Sequence, residues 1–375
     1  MRYVRSGVGV AVILGIVFAG RVWSQGSPGY RDVTVNPDGS VTIKNATVPL
    51  PGLMTEGSKG VLKRSKPSEG PGAPVPVPSN IADMAEVRRV YNDNLKPMVD
   101  HMREVFPVDI EETTINGIAA AIVTPKGGVP EKNKNRLFLN GPGGGFRTGV
   151  RGNGLLISIP VAATLGVKVV TITYRQGPEH KFPAASEDML KVWDHFTRTY
   201  KPANIGLVGC SAGGSLVTHT TAALIKAGRP TPGVLGVYCS GLGSAGSGDS
   251  ALLSALSVTS VQLALTQTGP PPAPGAAPVG MTYMQGTDPK DFVVNPTSDE
   301  TQLAKWPPTI FFTASRDGAA SGALFSYRKL IKLGIDSQIL YFDGLYHGFM
   351  TNPDFPEAQE GYKIAASFYD KHLGK

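Results

Sequence analysis

Ile205-Gly206-Leu207-Val208-Gly209-Cys210-Ser211-Ala212-Gly213-Gly214 is the stretch whose reading decides the rest of the chain. Its first four residues are apolar and partly β-branched, a short buried strand. From Ser215 to Ile225 the pattern becomes helix-compatible. A Gly-x-Ser-x-Gly set between strand and helix makes a sharp turn. Gly209 and Gly213 carry no Cβ to collide there, and Ser211 projects above the sheet edge. The helix starts beneath that serine, so its amide dipoles favour negative charge at the hydroxyl. In a chain with 46 glycines the same set also fits a plain glycine-rich turn. The surroundings decide.

A serine hydroxyl is a poor nucleophile until a base takes its proton, and the base needs a carboxylate to hold its tautomer. Downstream, Thr309 to Thr313 reads as a strand and runs into Ser315-Arg316-Asp317-Gly318. Ser337 to Phe342 reads as another and runs into Leu345-Tyr346-His347-Gly348-Phe349. The order Ser211, Asp317, His347, each partner on a loop after a core strand, is far more specific than the serine turn alone. Asp343 competes as the acid by its closeness to His347, but it follows the wrong strand. His101, His195, His219 and His372 sit on predicted helices, where packing or surface roles suit them better. For the developing oxyanion, the backbone amides of Gly144, Gly145 and Ala212 are the candidate donors. The triple glycine Gly143 to Gly145 follows a short strand, Leu137 to Leu139, and lets amides approach a carbonyl oxygen. No Gly-Lys-Ser/Thr follows it, which excludes a nucleotide P-loop.

Three stretches resemble the hormone-sensitive-lipase-type esterases (bacterial family IV) of the α/β-hydrolase superfamily. They are Pro142-Gly143-Gly144-Gly145-Phe146, the block from Tyr174 to Asp188 (Tyr-Arg-Gln-Gly-Pro-Glu-His-Lys-Phe-Pro-Ala-Ala-Ser-Glu-Asp), and Gly209 to Gly214. Ser315-Arg316-Asp317 and His347-Gly348-Phe349 match as well, so the likeness runs from about Val108 to Leu373. It implies an α/β-hydrolase fold, a mostly parallel central sheet flanked by helices, with a helical cap. It also implies carboxylic ester hydrolysis of a small-molecule substrate without a metal or organic cofactor. Two positions depart from the family pattern. Its glycine loop normally begins with a histidine, where this chain has Pro142, or Asn140 if two residues are inserted. An acidic residue usually precedes the serine, where this chain has Cys210. Asn140 is then the nearest polar residue to hold the glycine loop, and the Tyr174–Asp188 block reads as a structural brace for the active-site loops.

At 375 residues, 41% hydrophobic and 17% charged, the chain is ordinary globular material. Its net charge of +7 falls to +4 once Arg2, Arg5 and Arg21 are set aside. That is no argument for nucleic acid. Those arginines flank an apolar core from Val8 to Ala19, followed by Val22-Trp23-Ser24. Residues 1–24 therefore read as a signal peptide cleaved before Gln25, too short in its apolar core for a comfortable membrane span. The mature protein is expected to be secreted or periplasmic. The only cysteines, Cys210 and Cys239, are read as buried free thiols.

Residues 25–80 read as a small hairpin around Asn36-Pro37-Asp38-Gly39 and a Pro/Gly-rich linker. The hydrolase domain is 81–375, with cap elements near 81–106, interrupted at Pro97, and 241–305, where strand–helix alternation lapses. Leu252 to Leu265 could be a helix there, and Gly269 to Pro278 a loop. The leading expectation is an exported serine carboxylesterase for short- to medium-chain esters. Two alternatives stand beside it: an esterase for one natural ester, such as an acetylated sugar or polyester fragment, and a non-catalytic hydrolase fold kept for binding. Nothing in the residues bears on oligomeric state.

Overall fold

A computed structural model of the protein describes residues 33–35, 41–43, 52–64, 84–243, 248–250 and 283–374. The segment read as a signal peptide lies outside them, as do the helix and loop read within 251–282. Two compact units divide the chain at residue 49. The smaller holds β1 (Val33–Val35) and β2 (Val41–Ile43), an antiparallel hairpin pairing Val33 with Ile43.

The larger unit is built on an eight-stranded sheet. Its strands are β3 (Val108–Ile115), β4 (Ile118–Pro125), β5 (Leu137–Gly141), β6 (Lys168–Ile172), β7 (Ile205–Cys210), β8 (Val234–Tyr238), β9 (Thr309–Arg316) and β10 (Ser337–Tyr346), in the spatial order β10-β9-β8-β7-β5-β6-β4-β3. From β6 to β10 all neighbours run parallel, and β4 joins β6 antiparallel. The β3–β4 hairpin turns on Asn116 and Gly117, both at positive φ, as a two-residue hairpin loop demands. The central strands are buried throughout, which explains their nearly unbroken apolar runs. Alternate residues feed opposite layers: Leu207 and Phe311 enter one core, Val208 and Phe312 the other.

One face is covered by α4 (Arg151–Leu165) and α9 (Pro356–His372), the other by α5 (Ala184–Phe196), α6 (Ala212–Lys226) and α8 (Ala320–Lys332). A short helix, α7 (Glu300–Leu303), is capped by Asp299. The 81–106 stretch forms α2 (Met84–Asn94) and α3 (Lys96–Val105), with Pro97 in the first turn of α3, and both lie against α4. The break is where the proline places it.

One expectation is corrected. Residues 56–64, read as linker, form α1 (Glu56–Arg64). Its sequence is too poor in periodic apolar residues to declare a helix, and docking on α9 holds it instead. Thr55 donates its N–H to Glu357 Oε1 at 3.0 Å, Ser58 donates its hydroxyl to Glu357 Oε2, and Met54 and Val61 are buried.

Candidate active site

Parallel strands deliver every candidate residue to one edge of the sheet, because β5, β7, β9 and β10 all end there. Ser211 stands between β7 and α6 at φ 60°, ψ −125°. For a residue with a Cβ this conformation costs about 1–3 kcal/mol and persists only where packing dictates it. Packing does so: a Cβ on Gly209 would run into the Gly213 carbonyl, and one on Gly213 into the Gly141 carbonyl. Ala212 is the first residue of α6, so its N–H faces the helix mouth below the serine.

Asp317 follows β9 directly and is fully buried. Its Oδ1 accepts from His347 Nδ1 at 2.7 Å and from the Ala319 N–H at 2.9 Å, and its Oδ2 accepts from Thr313 Oγ1 at 2.7 Å. Burial pushes the Asp317 pKa up, but the His347 charge and these hydrogen bonds outweigh it and leave the carboxyl below its ordinary value. His347 follows β10, and its side chain is 43% exposed. Burial pulls its pKa down, yet the charge and hydrogen bond of Asp317 prevail and raise it. Asp343, the rival acid, is engaged elsewhere: Ser315 Oγ donates to it at 3.1 Å and accepts the Gly344 N–H at 2.7 Å.

The glycine loop between β5 and α4 passes over Cys210 and Ser211. A Cβ on Gly143 would stand 3.6 Å from that of Ser211. Gly144 folds the loop back on itself at φ 117°, its carbonyl accepting from the N–H groups of Arg147 and Thr148. Among the described hydrogen bonds neither Gly144 nor Gly145 donates its own N–H, so both amides remain available to a ligand.

What holds this loop differs from the reading that gave the task to Asn140. Asn140 is buried on β5, but its Nδ2 donates to the Gly154 carbonyl at 2.8 Å and to Ser158 Oγ at 2.9 Å, both on α4. The loop itself is held from the Tyr174–Asp188 block. Tyr174 donates its hydroxyl to the Pro142 carbonyl at 2.8 Å, and Gly177 donates its N–H to the Phe146 carbonyl at 2.7 Å. Gln176 grips both sides of Gly149, accepting its N–H at 2.7 Å and donating to its carbonyl at 3.2 Å. The brace reading of that block holds. Arg88 of α2, which sequence reasoning missed, donates to the carbonyls of Arg147 and Gly177 and forks onto Glu179. No local pattern marks Arg88, since its partners lie 59 to 91 residues away.

Cys210 and Cys239 are free and buried. Cys239 lies one residue past β8 at φ 49°, and its Sγ accepts the Gly348 N–H at 3.1 Å.

The sequence profile of the α/β-hydrolase fold matches residues 142–351, more than half of the chain. The chain belongs to the α/β-hydrolase fold family. Within that family it resembles a versiconal hemiacetal acetate esterase of Dothistroma septosporum, 25% identical over 73% of this chain and 84% of that one. Among solved folds, the crystal structure of an esterase superposes with a TM-score of 0.71 at 24% identity, covering 89% of this chain and 99% of that one. An esterase from the bacterial hormone-sensitive lipase family gives 0.66 at 20% identity, covering 85% and 99%. The α/β hydrolase read from the sequence is thereby borne out at the level of family, and the bacterial hormone-sensitive-lipase-family structure agrees with it in fold. Among the described residues no helix is long and apolar enough to cross a membrane.

Proposed function

We propose that this α/β hydrolase is a serine carboxylesterase that cleaves short- to medium-chain esters through an acyl-enzyme, with Ser211, His347 and Asp317 as its triad. The reading is carried by the Asp317–His347 contact of 2.7 Å at the same sheet edge as the strained Ser211 turn. Asp317 holds the proton on His347 Nδ1, so that Nε2 is the free base. His347 takes the Ser211 proton as the oxygen attacks the ester carbonyl. The amides of Gly144, Gly145 and Ala212 receive the developing oxyanion, helped by the α6 dipole. The alcohol leaves with the proton from His347. Water, activated by the same imidazole, then releases the acid and restores Ser211. None of these steps needs a cofactor.

The acetate esterase among its relatives favours acetyl esters of a small natural product as the narrower reading. A panel of p-nitrophenyl esters of increasing acyl length tests both, with Ser211→Ala as control. Hydrolysis is expected to be fastest at the short end and to vanish in the folded variant. Turnover that survives in folded Ser211→Ala would overturn the mechanism, and a wild type inert to every ester would leave the binding-protein reading. Export belongs to the same proposal and rests on the charge and apolar pattern of residues 1–24.

A further inference from the structure

The sulfur of Cys239, a carboxylate oxygen of Asp317 and a ring nitrogen of His347 all lie within 4.8 Å of one another. A thiol, a carboxylate and an imidazole are the donor types that a thiophilic divalent cation such as Zn2+ selects. The geometry points to an inhibitory metal site built into the base–acid pair, in which Zn2+ is held by Cys239 Sγ, His347 Nδ1 and Asp317 Oδ1. This inference rests on the triad reading above.

Tetrahedral zinc bonds of about 2.0–2.3 Å put neighbouring donors roughly 3.3–3.8 Å apart. The 2.7 Å Asp317–His347 contact must open by about 1 Å, and the sulfur must approach by a similar amount at most. Two of the three donors are already oriented from behind. Thr313 and Ala319 fix the carboxylate, and the Gly348 N–H fixes the sulfur. His347 alone is open to solvent, so the ion enters from its side and water completes the fourth position.

Binding has a defined proton balance. Cys239 releases its thiol proton to solvent and binds as thiolate. On His347 the metal takes Nδ1, and the proton that sat there passes to Nε2. The imidazole stays neutral but carries a hydrogen on the nitrogen that should accept from Ser211. A base in that tautomer cannot deprotonate the serine, so one ion silences one active site without touching the nucleophile.

Co2+ and Zn2+ titrations of the folded full-length mature protein test this. Ser211→Ala serves for binding, since it leaves all three donors in place whether or not the protein is an esterase. Co2+ should produce a thiolate-to-metal charge-transfer band in the near ultraviolet, abolished in Cys239→Ala. Calorimetry should show one Zn2+ bound, with affinity falling roughly tenfold or more in Cys239→Ala. Zn2+ should suppress ester hydrolysis by the wild type, and Cys239→Ser, with its weaker ligand, should need roughly tenfold more. Absence of the charge-transfer band in Ser211→Ala overturns the site even if Zn2+ inhibits. Binding without inhibition overturns the tautomer argument. Loss of ester hydrolysis in metal-free wild type would count against the esterase reading and leave the binding result standing.

Discussion

At the level of single residues, the choice of acid separates topology from proximity. Asp343 is four residues from His347 in sequence, yet its carboxylate is occupied by Ser315, whereas Asp317 reaches His347 across thirty positions. Asp317→Asn is therefore expected to lower kcat by roughly ten-thousandfold through the wrong imidazole tautomer. Asp343→Asn should stay within about tenfold of wild type, because it loosens a loop contact and touches no proton in transit. Steady-state kinetics on both folded variants checks this, and the reverse ranking would move the acid to Asp343. The same pair sets a pH dependence. In the proposed mechanism His347 is a base only when unprotonated, and Asp317 holds its pKa above the ordinary 6.5. kcat/KM should accordingly rise with pH to a midpoint above 6.5, and that midpoint should fall if residual activity of Asp317→Asn is profiled. A midpoint at or below the ordinary imidazole value would contradict the pairing.

At the level of elements, the glycine loop owes its shape to the segment after β6. Tyr174 is fully buried against Phe146, with its hydroxyl spent on the Pro142 carbonyl. Tyr174→Phe keeps the ring and leaves that carbonyl buried without a donor, a loss of about 1–3 kcal/mol in stability. Because the released loop carries the proposed oxyanion amides, kcat should fall further than KM rises. Thermal melting beside kinetics tests it, and an unchanged kcat in a destabilised protein would make Tyr174 purely structural. Gly144 is a poor probe of the same hole. A Cβ there would run into the Thr148 backbone, so any substitution breaks the loop before it reports on the oxyanion. The α2 helix belongs to this arrangement through Arg88, whose guanidinium ties the loop and the Tyr174 segment together from outside the sheet.

For the whole molecule, parallel strand order explains why residues scattered over two hundred positions form one site. A parallel sheet puts the carboxyl ends of β5, β7, β9 and β10 on one edge, and functional loops collect there. The buried hydroxyl pair of Tyr238 and Tyr369, 2.6 Å apart, locks α9 to the middle of that sheet. The charge pattern of residues 1–24 adds a prediction at this scale. Protein recovered outside the cytoplasm should begin near Gln25, as N-terminal sequencing would read directly. Material retaining Met1 in a membrane fraction would instead mean an anchor.

Much of the candidate site was legible in the sequence. Gly209 to Gly214 declares a strand–helix turn because a Cβ at Gly209 or Gly213 would collide with backbone there, and the proposed acid and base each follow a strand recognisable from its apolar run. The Asn116-Gly117 hairpin and the break at Pro97 were equally local, set by φ preferences that single residues carry. Contacts that depend on which strands become neighbours were not. Sequence spacing cannot say that Thr313 and Ala319 share one carboxylate with His347. Nor can it say that Tyr174, and not Asn140, holds the glycine loop, or that Cys239 comes to rest beside the base. The helix α1 lies in the same class, since its weak local pattern forms only where Glu357 receives it. Local sequence determined the turns and supplied the candidate groups. Sheet order, a matter of long-range packing, decided which of those groups touch.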